Sequence, residues 1–349
     1  MKVMVYEGPR HIVIEEAHDL PLGEGQVRIE TMYTGISHGT EMAVYRGTAP
    51  FFSRKKDASG LFVEADSTEL WSYPVRSSDS GVWYMGYAAV GRVVETGPGV
   101  KTLQPGDIVY CNTPHQSQTV KPENQAVKLP VGLKPEYGIF FTNLMTAYNA
   151  ILDANIKLGD IMVVSGLGVL GQLAAQMCRM SGASAVYGVD LLEKRGQAAL
   201  ENGLTAAFSP LSTPEVAREI RKLTNGRGAD GVIEVSGNVQ ALQEAIRIAA
   251  RDTTVTAVGW YQGFCHSLNL AEEFHHNRIT IRSSQTGGIN PEIRHMWNHQ
   301  RKEAACLELL SRLKLDNLIT TVIPYGEIAR AYEEIDRNPG DIIQVVLKY

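Results

Sequence analysis

Three glycines, spaced as Gly166-Leu167-Gly168-Val169-Leu170-Gly171, constrain the fold of this chain more than any other feature. They follow a short apolar run at 161–165 and open a stretch, 170–181, whose apolar residues recur at helical spacing. In such a turn the first glycine permits the tight bend and the second lets a pyrophosphate approach the backbone. The third lets the helix pack close to the strand. The helix start, with Val169 and Leu170 in its first turn, offers unpaired N–H groups and a partial positive charge to phosphates. Alone the motif is weak, but an acid closes the next apolar run: Asp190 ends Val186-Tyr187-Gly188-Val189-Asp190, 19 residues beyond Gly171. A carboxylate there accepts both ribose hydroxyls of NAD and repels the 2′-phosphate of NADP. NAD is favoured over NADP, with Lys194 and Arg195 near enough to soften the preference. The competing reading is a glycine turn needed only for packing.

The apolar runs at 160–165, 185–190, 231–236 and 253–259 lack polar alternation, as strands buried on both faces do. Helical patterns at 170–181, 214–224 and 239–250 lie between them, which predicts a doubly wound parallel sheet. Ligands of such sheets bind outside the carboxyl ends of the strands, a rule that places Ser236, Gly237, Gly259 and Trp260 beside the nicotinamide half. Each of the four is equally well an ordinary strand-end residue. The first third reads differently, as short strands at 1–7, 26–34, 87–96, 107–111 and 126–129. Turns such as Gly97-Pro98-Gly99 and Pro105-Gly106-Asp107 divide them. An irregular stretch, 48–84, holds Phe51, Phe52, Trp71, Tyr73 and Trp83 and reads as an active-site cover or a surface excursion. Helices at 303–313 and 325–336 and a strand at 342–348 close the chain.

A length of 349 residues predicts two domains. The net charge of −5, with Lys and Arg scattered among acids, gives no case for nucleic acid. The start of the chain lacks the pattern of a signal peptide, and no run approaches the ~20 apolar residues of a membrane span. Cys111, Cys178, Cys265 and Cys306 stand far apart, neither a disulfide framework nor a zinc spacing, which fits isolated thiols in a reducing cytoplasm.

Across nearly its whole length the chain resembles the medium-chain dehydrogenase/reductase superfamily. The segments that carry the likeness are Gly35-Ile36-Ser37-His38-Gly39-Thr40-Glu41, Gly86-Tyr87-Ala88-Ala89-Val90-Gly91-Arg92-Val93 and Leu103-Gln104-Pro105-Gly106-Asp107. The glycine-rich unit and Gln344-Val345-Val346-Leu347-Lys348 complete it. The resemblance implies an α/β chain with a β-rich GroES-like catalytic domain built from residues 1–145 and 289–349. A Rossmann domain, 146–288, is inserted between them. Zinc alcohol dehydrogenases of this superfamily carry G-I-C-G-T-D and G-H-E at the first two segments, and that cysteine and histidine hold the catalytic zinc. Here the cysteine position falls on Ser37, the histidine becomes Tyr87 and the glutamate becomes Ala88. No four-cysteine structural zinc lobe precedes the glycine turn. Serine and tyrosine cannot replace thiolate and imidazole, so no zinc is expected. The segments Gly35–Glu41 and Glu273-Phe274-His275 to Ile281-Arg282-Ser283-Ser284-Gln285 are similar to the bacteriochlorophyllide dehydrogenase-like branch, which implies a bulky secondary alcohol or its ketone as substrate.

Without zinc, donors must sit where negative charge develops during hydride transfer. Tyr87, His38, Ser37 and Thr40 are the candidates. Thr40 matches the hydroxyl that relays the proton in the zinc enzymes, and a histidine is a suitable carrier near neutrality. Tyr87 as a packed aromatic and His38 as a loop cap are the bland readings. Glu41 reads as a structural carboxylate, His115 as a loop histidine, and His275 and His276 as structural; a metal held by His38, Glu41 and His115 fits no familiar spacing. The aromatic stretch suggests a sugar, cyclitol or macrocycle, although core packing explains it equally. A zinc-free C=C reductase is the runner-up, weakened by Asp190, and a non-catalytic dinucleotide sensor is the third reading. The runs at 253–259 and 279–283 would form a sheet edge, which predicts a homodimer.

Overall fold

Strands of mixed burial precede residue 142, whereas the strands at 161–165, 185–189 and 229–234 are buried along almost their whole length, and two different sheets result. The computed structural model describes residues 1–76 and 85–349, which leaves Trp83 of the aromatic stretch outside the described residues. Contacts divide the chain into one unit of residues 1–142 with 319–349 and a second of residues 143–318.

The first unit opens with the hairpin β1 (Lys2–Gly8) and β2 (His11–Glu16), then β3 (Gln26–Gly35) and helix α1 (Thr40–Arg46). Gly47 ends α1 at φ 75°, a left-handed cap that glycine adopts without a Cβ penalty. Two short strands, β4 (Lys55–Lys56) and β5 (Phe62–Val63), pair within the aromatic stretch. After them come β6 (Ala89–Thr96), β7 (Ile108–Cys111), β8 (Gln118–Pro122) and β9 (Ala126–Lys128). Phe51 stacks on Trp71 and Phe52 on Tyr73, each with ring centroids 4.9 Å apart. All four rings pack against a buried cluster that includes Met4, Tyr6, Ile36, Met42 and Tyr45. Core packing therefore accounts for much of the aromatic content of this stretch.

Helix α2 (Phe141–Ala154) leads into the second unit, where strand and helix alternate as the apolar runs predict. The elements are β10 (Ile161–Ser165), α3 (Val169–Met180), β11 (Ala185–Val189), α4 (Glu193–Glu201), β12 (Ala206–Phe208), α5 (Val216–Leu223), β13 (Ala229–Glu234), α6 (Val239–Ile248), β14 (Ala249–Ala257) and β15 (Thr280–Ser283). The six strands run parallel in the order β12-β11-β10-β13-β14-β15. Val163, Val232 and Val255, one from each of three neighbouring strands, are fully buried together. The order reverses between β10 and β13, and a sheet of this kind opens its ligand crevice at that reversal.

Helix α7 (His299–Leu309) closes the second unit. The chain then completes the first with β16 (Ile319–Pro324), α8 (Ile328–Arg337) and β17 (Gln344–Lys348). The first unit's sheet has the order β16-β17-β3-β6-β7-β9, with β8 also against β3. The return thus falls at 319, whereas the sequence places it at 289. The cause is side-chain pairing onto α2. Asn290 Nδ2 donates to the Leu152 carbonyl at 3.4 Å, Lys302 Nζ reaches Asn149 Oδ1 at 3.3 Å, and Trp297 packs on Tyr148. Among the described residues no helix is long and apolar enough to cross a membrane.

Candidate functional site

In the first unit, three hydroxyls gather where β3 gives way to α1. Ser37 Oγ accepts the Thr40 N–H at 3.3 Å, and the Tyr87 phenol hydrogen-bonds with the side chains of Ser37 and Thr40. Tyr87 lies just before β6 rather than inside it, held by its own backbone: its carbonyl accepts the Tyr110 hydroxyl at 2.9 Å and the Thr142 hydroxyl at 3.3 Å. Gly86, at φ +113°, makes the bend; a Cβ there would stand 3.0 Å from His115. Burial pushes the Tyr87 phenol well above its ordinary value; the bonds from Ser37 and Thr40 oppose the shift and the Glu41 charge adds to it. Tyr87 is therefore a neutral donor at physiological pH. His38, half-buried, is carried on the same loop one residue beyond Ser37.

Beneath the hydroxyls lies a carboxylate with no exposure. Glu41 Oε1 accepts the Ser37 N–H at 2.8 Å, and Oε2 is bonded by His115 Nε2 at 2.7 Å and by the Tyr332 hydroxyl. His115, equally buried, bonds Thr34 Oγ1 through Nδ1 at 2.7 Å, and Tyr6 bonds Tyr332 at 3.1 Å. Burying a carboxylate is tolerable only when its oxygens are this fully occupied. The cost is met by residues from four separate stretches of chain, which no local pattern reveals.

This donor set does not fit a zinc ion. Ser37 and Tyr87 stand where the family resemblance places ligands, and burial holds Tyr87 protonated. Glu41 and His115 occupy each other, and the buried thiol of Cys111 is pushed up to about 12 by desolvation. Among the described residues no three His, Cys, Asp or Glu side chains gather as metal ligands, the triplet His38, Glu41 and His115 included.

In the second unit the glycine turn has the geometry that a dinucleotide's phosphates require. Gly166 adopts φ +91°, and a Cβ there would meet Ser236 N at 2.8 Å. A Cβ at Gly171 would lie 1.8 Å from the Gly166 carbonyl oxygen, so strand and helix approach only through glycine. At Gly168 the nearest atom is Arg195 Nη1 at 3.7 Å, which leaves that face open. Val169 and Leu170 begin α3 directly beyond it. Asp190 accepts the Leu167 N–H at 2.7 Å and the Leu192 N–H at 2.8 Å, so its carboxylate is fixed against the turn. Arg195 Nη1 stands 3.9 Å from it.

The other two strand ends abut one another. A Cβ at Gly259 would lie 2.2 Å from Gly237 N, and Trp260 follows with 40% of its surface exposed. Glu234, which sequence reasoning missed, organises this corner. It is fully buried at the end of β13 and accepts the Ser236 N–H at 2.8 Å, the Gly237 N–H at 3.4 Å and the hydroxyls of Ser236 and Tyr261. Burial pushes its carboxyl up, while the Ser236 and Tyr261 bonds pull it back. The only signal in the sequence is an acid inside the otherwise apolar run Gly231-Val232-Ile233-Glu234-Val235.

Comparison with known proteins agrees with this architecture. Residues 169–301 match the family model described as zinc-binding dehydrogenase. The chain is 31% identical over 360 residues to a D-guloside 3-dehydrogenase of Shigella flexneri, covering 99% of both chains. An oxidoreductase/dehydrogenase of unknown specificity from Escherichia coli has a solved structure similar to this one. Its TM-score is 0.79 at 21% identity, over 99% of this chain and 98% of that one. The 2R,3R-butanediol dehydrogenase of Bacillus subtilis gives a TM-score of 0.78 at 22% identity, over 100% and 99%. From its identity to that first relative across 99% of both sequences, this chain belongs to the medium-chain, zinc-type alcohol dehydrogenase-like superfamily and is one of its dehydrogenases.

Proposed function

We propose that this dehydrogenase interconverts a secondary alcohol and a ketone on a sugar-like substrate, using NAD(H) and no zinc. The observation that carries the reading is the Ser37–Thr40–Tyr87 hydroxyl cluster, in which Ser37 and Tyr87 take the places the family resemblance gives to zinc ligands and Thr40 that of the proton-relaying hydroxyl. NAD, when bound, supplies the hydride acceptor. Gly166, Gly168, Gly171 and the first N–H groups of α3 would hold its pyrophosphate, and Asp190 its ribose hydroxyls. Ser236, Gly237, Gly259 and Trp260 would border the nicotinamide half. Tyr87, kept neutral by burial, donates to the substrate oxygen as negative charge develops there. Ser37 and Thr40 orient the phenol, and His38 with Thr40 carries away the proton that the alcohol releases.

The likeness to a D-guloside dehydrogenase supports a glycoside or sugar as substrate. We assign catalysis to the first unit and dinucleotide binding to the second, and read the protein as a cytoplasmic homodimer joined along the β15 edge of the parallel sheet. The test is a spectrophotometric assay of glycosides and cyclic secondary alcohols with NAD, with and without a strong chelator. Chelator-resistant NADH formation is the expected result. Activity that a chelator abolishes and zinc restores would overturn the zinc-free reading, and turnover confined to enones with NADH would favour C=C reduction instead.

A further inference from the structure

Away from the hydroxyl cluster, the first unit has an open cavity of about 210 Å³ lined by Phe51, Arg54, Lys55, Lys56, Glu69 and Trp71. Its volume falls below the roughly 300–1,000 Å³ of drug-sized sites, which suits a single ring. One wall is aromatic and built into the backbone: the Trp71 N–H donates to the Phe51 carbonyl at 3.0 Å, and the two rings stack at 29° between planes. The other wall is cationic. Lys55 and Lys56 come from β4, paired with β5, and Arg54 immediately precedes them.

By sequence this region sets four acids, Asp57, Glu64, Asp66 and Glu69, against three cations, a net charge of −1. The structure sorts them differently. Asp57 is consumed by its own turn, accepting the N–H groups of Ser59 and Leu61, each at 2.9 Å, and the Ser59 hydroxyl at 2.6 Å. Glu69 is paired with Lys55. Arg54 and Lys56 have no carboxylate partner among the described residues and line the cavity together. Asp57, Glu64 and Asp66 do not line the cavity, and an aromatic wall facing two cations that no carboxylate pairs recognises a ring with an apolar face that also carries an anionic group.

We propose that this cavity binds a carbohydrate ring bearing a carboxylate or phosphate. The anion lies on Arg54 and Lys56 and the ring faces Phe51 and Trp71. Ser37, Thr40 and Tyr87 do not line the cavity, so it is a second sugar site, separate from the proposed hydride-transfer site.

Isothermal titration of the full chain with glucuronate, glucose 6-phosphate, glucose and inorganic phosphate tests this without any turnover. The charged sugar that fits should bind about tenfold or more tightly than glucose. Its affinity should fall about tenfold in Arg54→Ala/Lys56→Ala, the size expected of two partly exposed charge contacts, and should weaken with added salt. Both residues are exposed, so the double variant should keep the wild-type melting temperature. Preference for glucuronate or for glucose 6-phosphate identifies the anion. Equal binding of glucose and the charged sugars, an unchanged affinity in the double variant, or inorganic phosphate binding as tightly as the sugar phosphate would each overturn the proposal. A protein inactive on every alcohol tested would leave these binding results unaffected.

Discussion

At the scale of single residues, Tyr87 shows how environment sets chemistry. A phenol ordinarily loses its proton near 10, and burial here moves that loss higher, so the side chain remains a donor across the working range. In the proposed mechanism a phenol held protonated donates to a developing alkoxide and does not act as a base near neutrality. Tyr87→Phe keeps the ring and removes the donor. It should lower kcat by about 100- to 1,000-fold, the effect of losing one such donor, while NADH titrated by fluorescence binds as before. Wild-type kcat should show no loss attributable to this phenol up to pH 10. Unchanged turnover in Tyr87→Phe would reduce Tyr87 to a packed aromatic. Ser37 and Tyr87 were legible as candidates because they replace known ligands, and Thr40 because it matches a proton-relaying hydroxyl. Glu41's partnership with His115 and Tyr332 was not, since 74 and 291 residues of chain separate the partners.

At the scale of elements, the strand–turn–helix from β10 to α3 joins two requirements in one place. Gly166 and Gly171 are demanded by contact with Ser236 and with each other, whatever binds there. Asp190 is not demanded sterically, and its carboxylate is fixed by the N–H groups of Leu167 and Leu192. Asp190→Ser removes the charge that repels a 2′-phosphate and leaves Arg195 nearby to attract one. The ratio of kcat/KM with NAD to that with NADP should fall at least tenfold, measured with both cofactors on one substrate. A ratio that does not move would make Asp190 a structural clamp on the turn. Helix α1 went unread for a related reason. Its seven residues follow Gly39 and include Met42, Ala43, Val44 and Tyr45, all buried, so no polar face alternates with an apolar one.

At the scale of the whole molecule, the parallel sheet ends at β15, a four-residue strand of which no residue is fully buried. An exposed edge of that kind is a template for pairing with a second chain. Light scattering coupled to size exclusion should give twice the 38.3 kDa chain mass at micromolar concentration. A single-chain mass would leave the edge unpaired and require another cover for it.

The doubly wound half was determined by the sequence alone. Its central strands are buried on both faces and its turns need glycine, so the constraint is local and appears as unbroken apolar runs between helical patterns. The substituted zinc positions were legible on the same terms, as residue types at fixed places in short motifs. Tertiary structure alone decided three other matters: that 289–318 packs on α2 rather than with the first unit, that Glu41 and Glu234 are buried and fully bonded, and that Glu69 pairs with Lys55 and Asp57 caps its own turn while Arg54 and Lys56 meet no carboxylate among the described residues. Each depends on which side chains meet across long stretches of chain. Such meetings are selected by packing and by the cost of leaving a buried polar group unpaired, and neither leaves a period in the sequence.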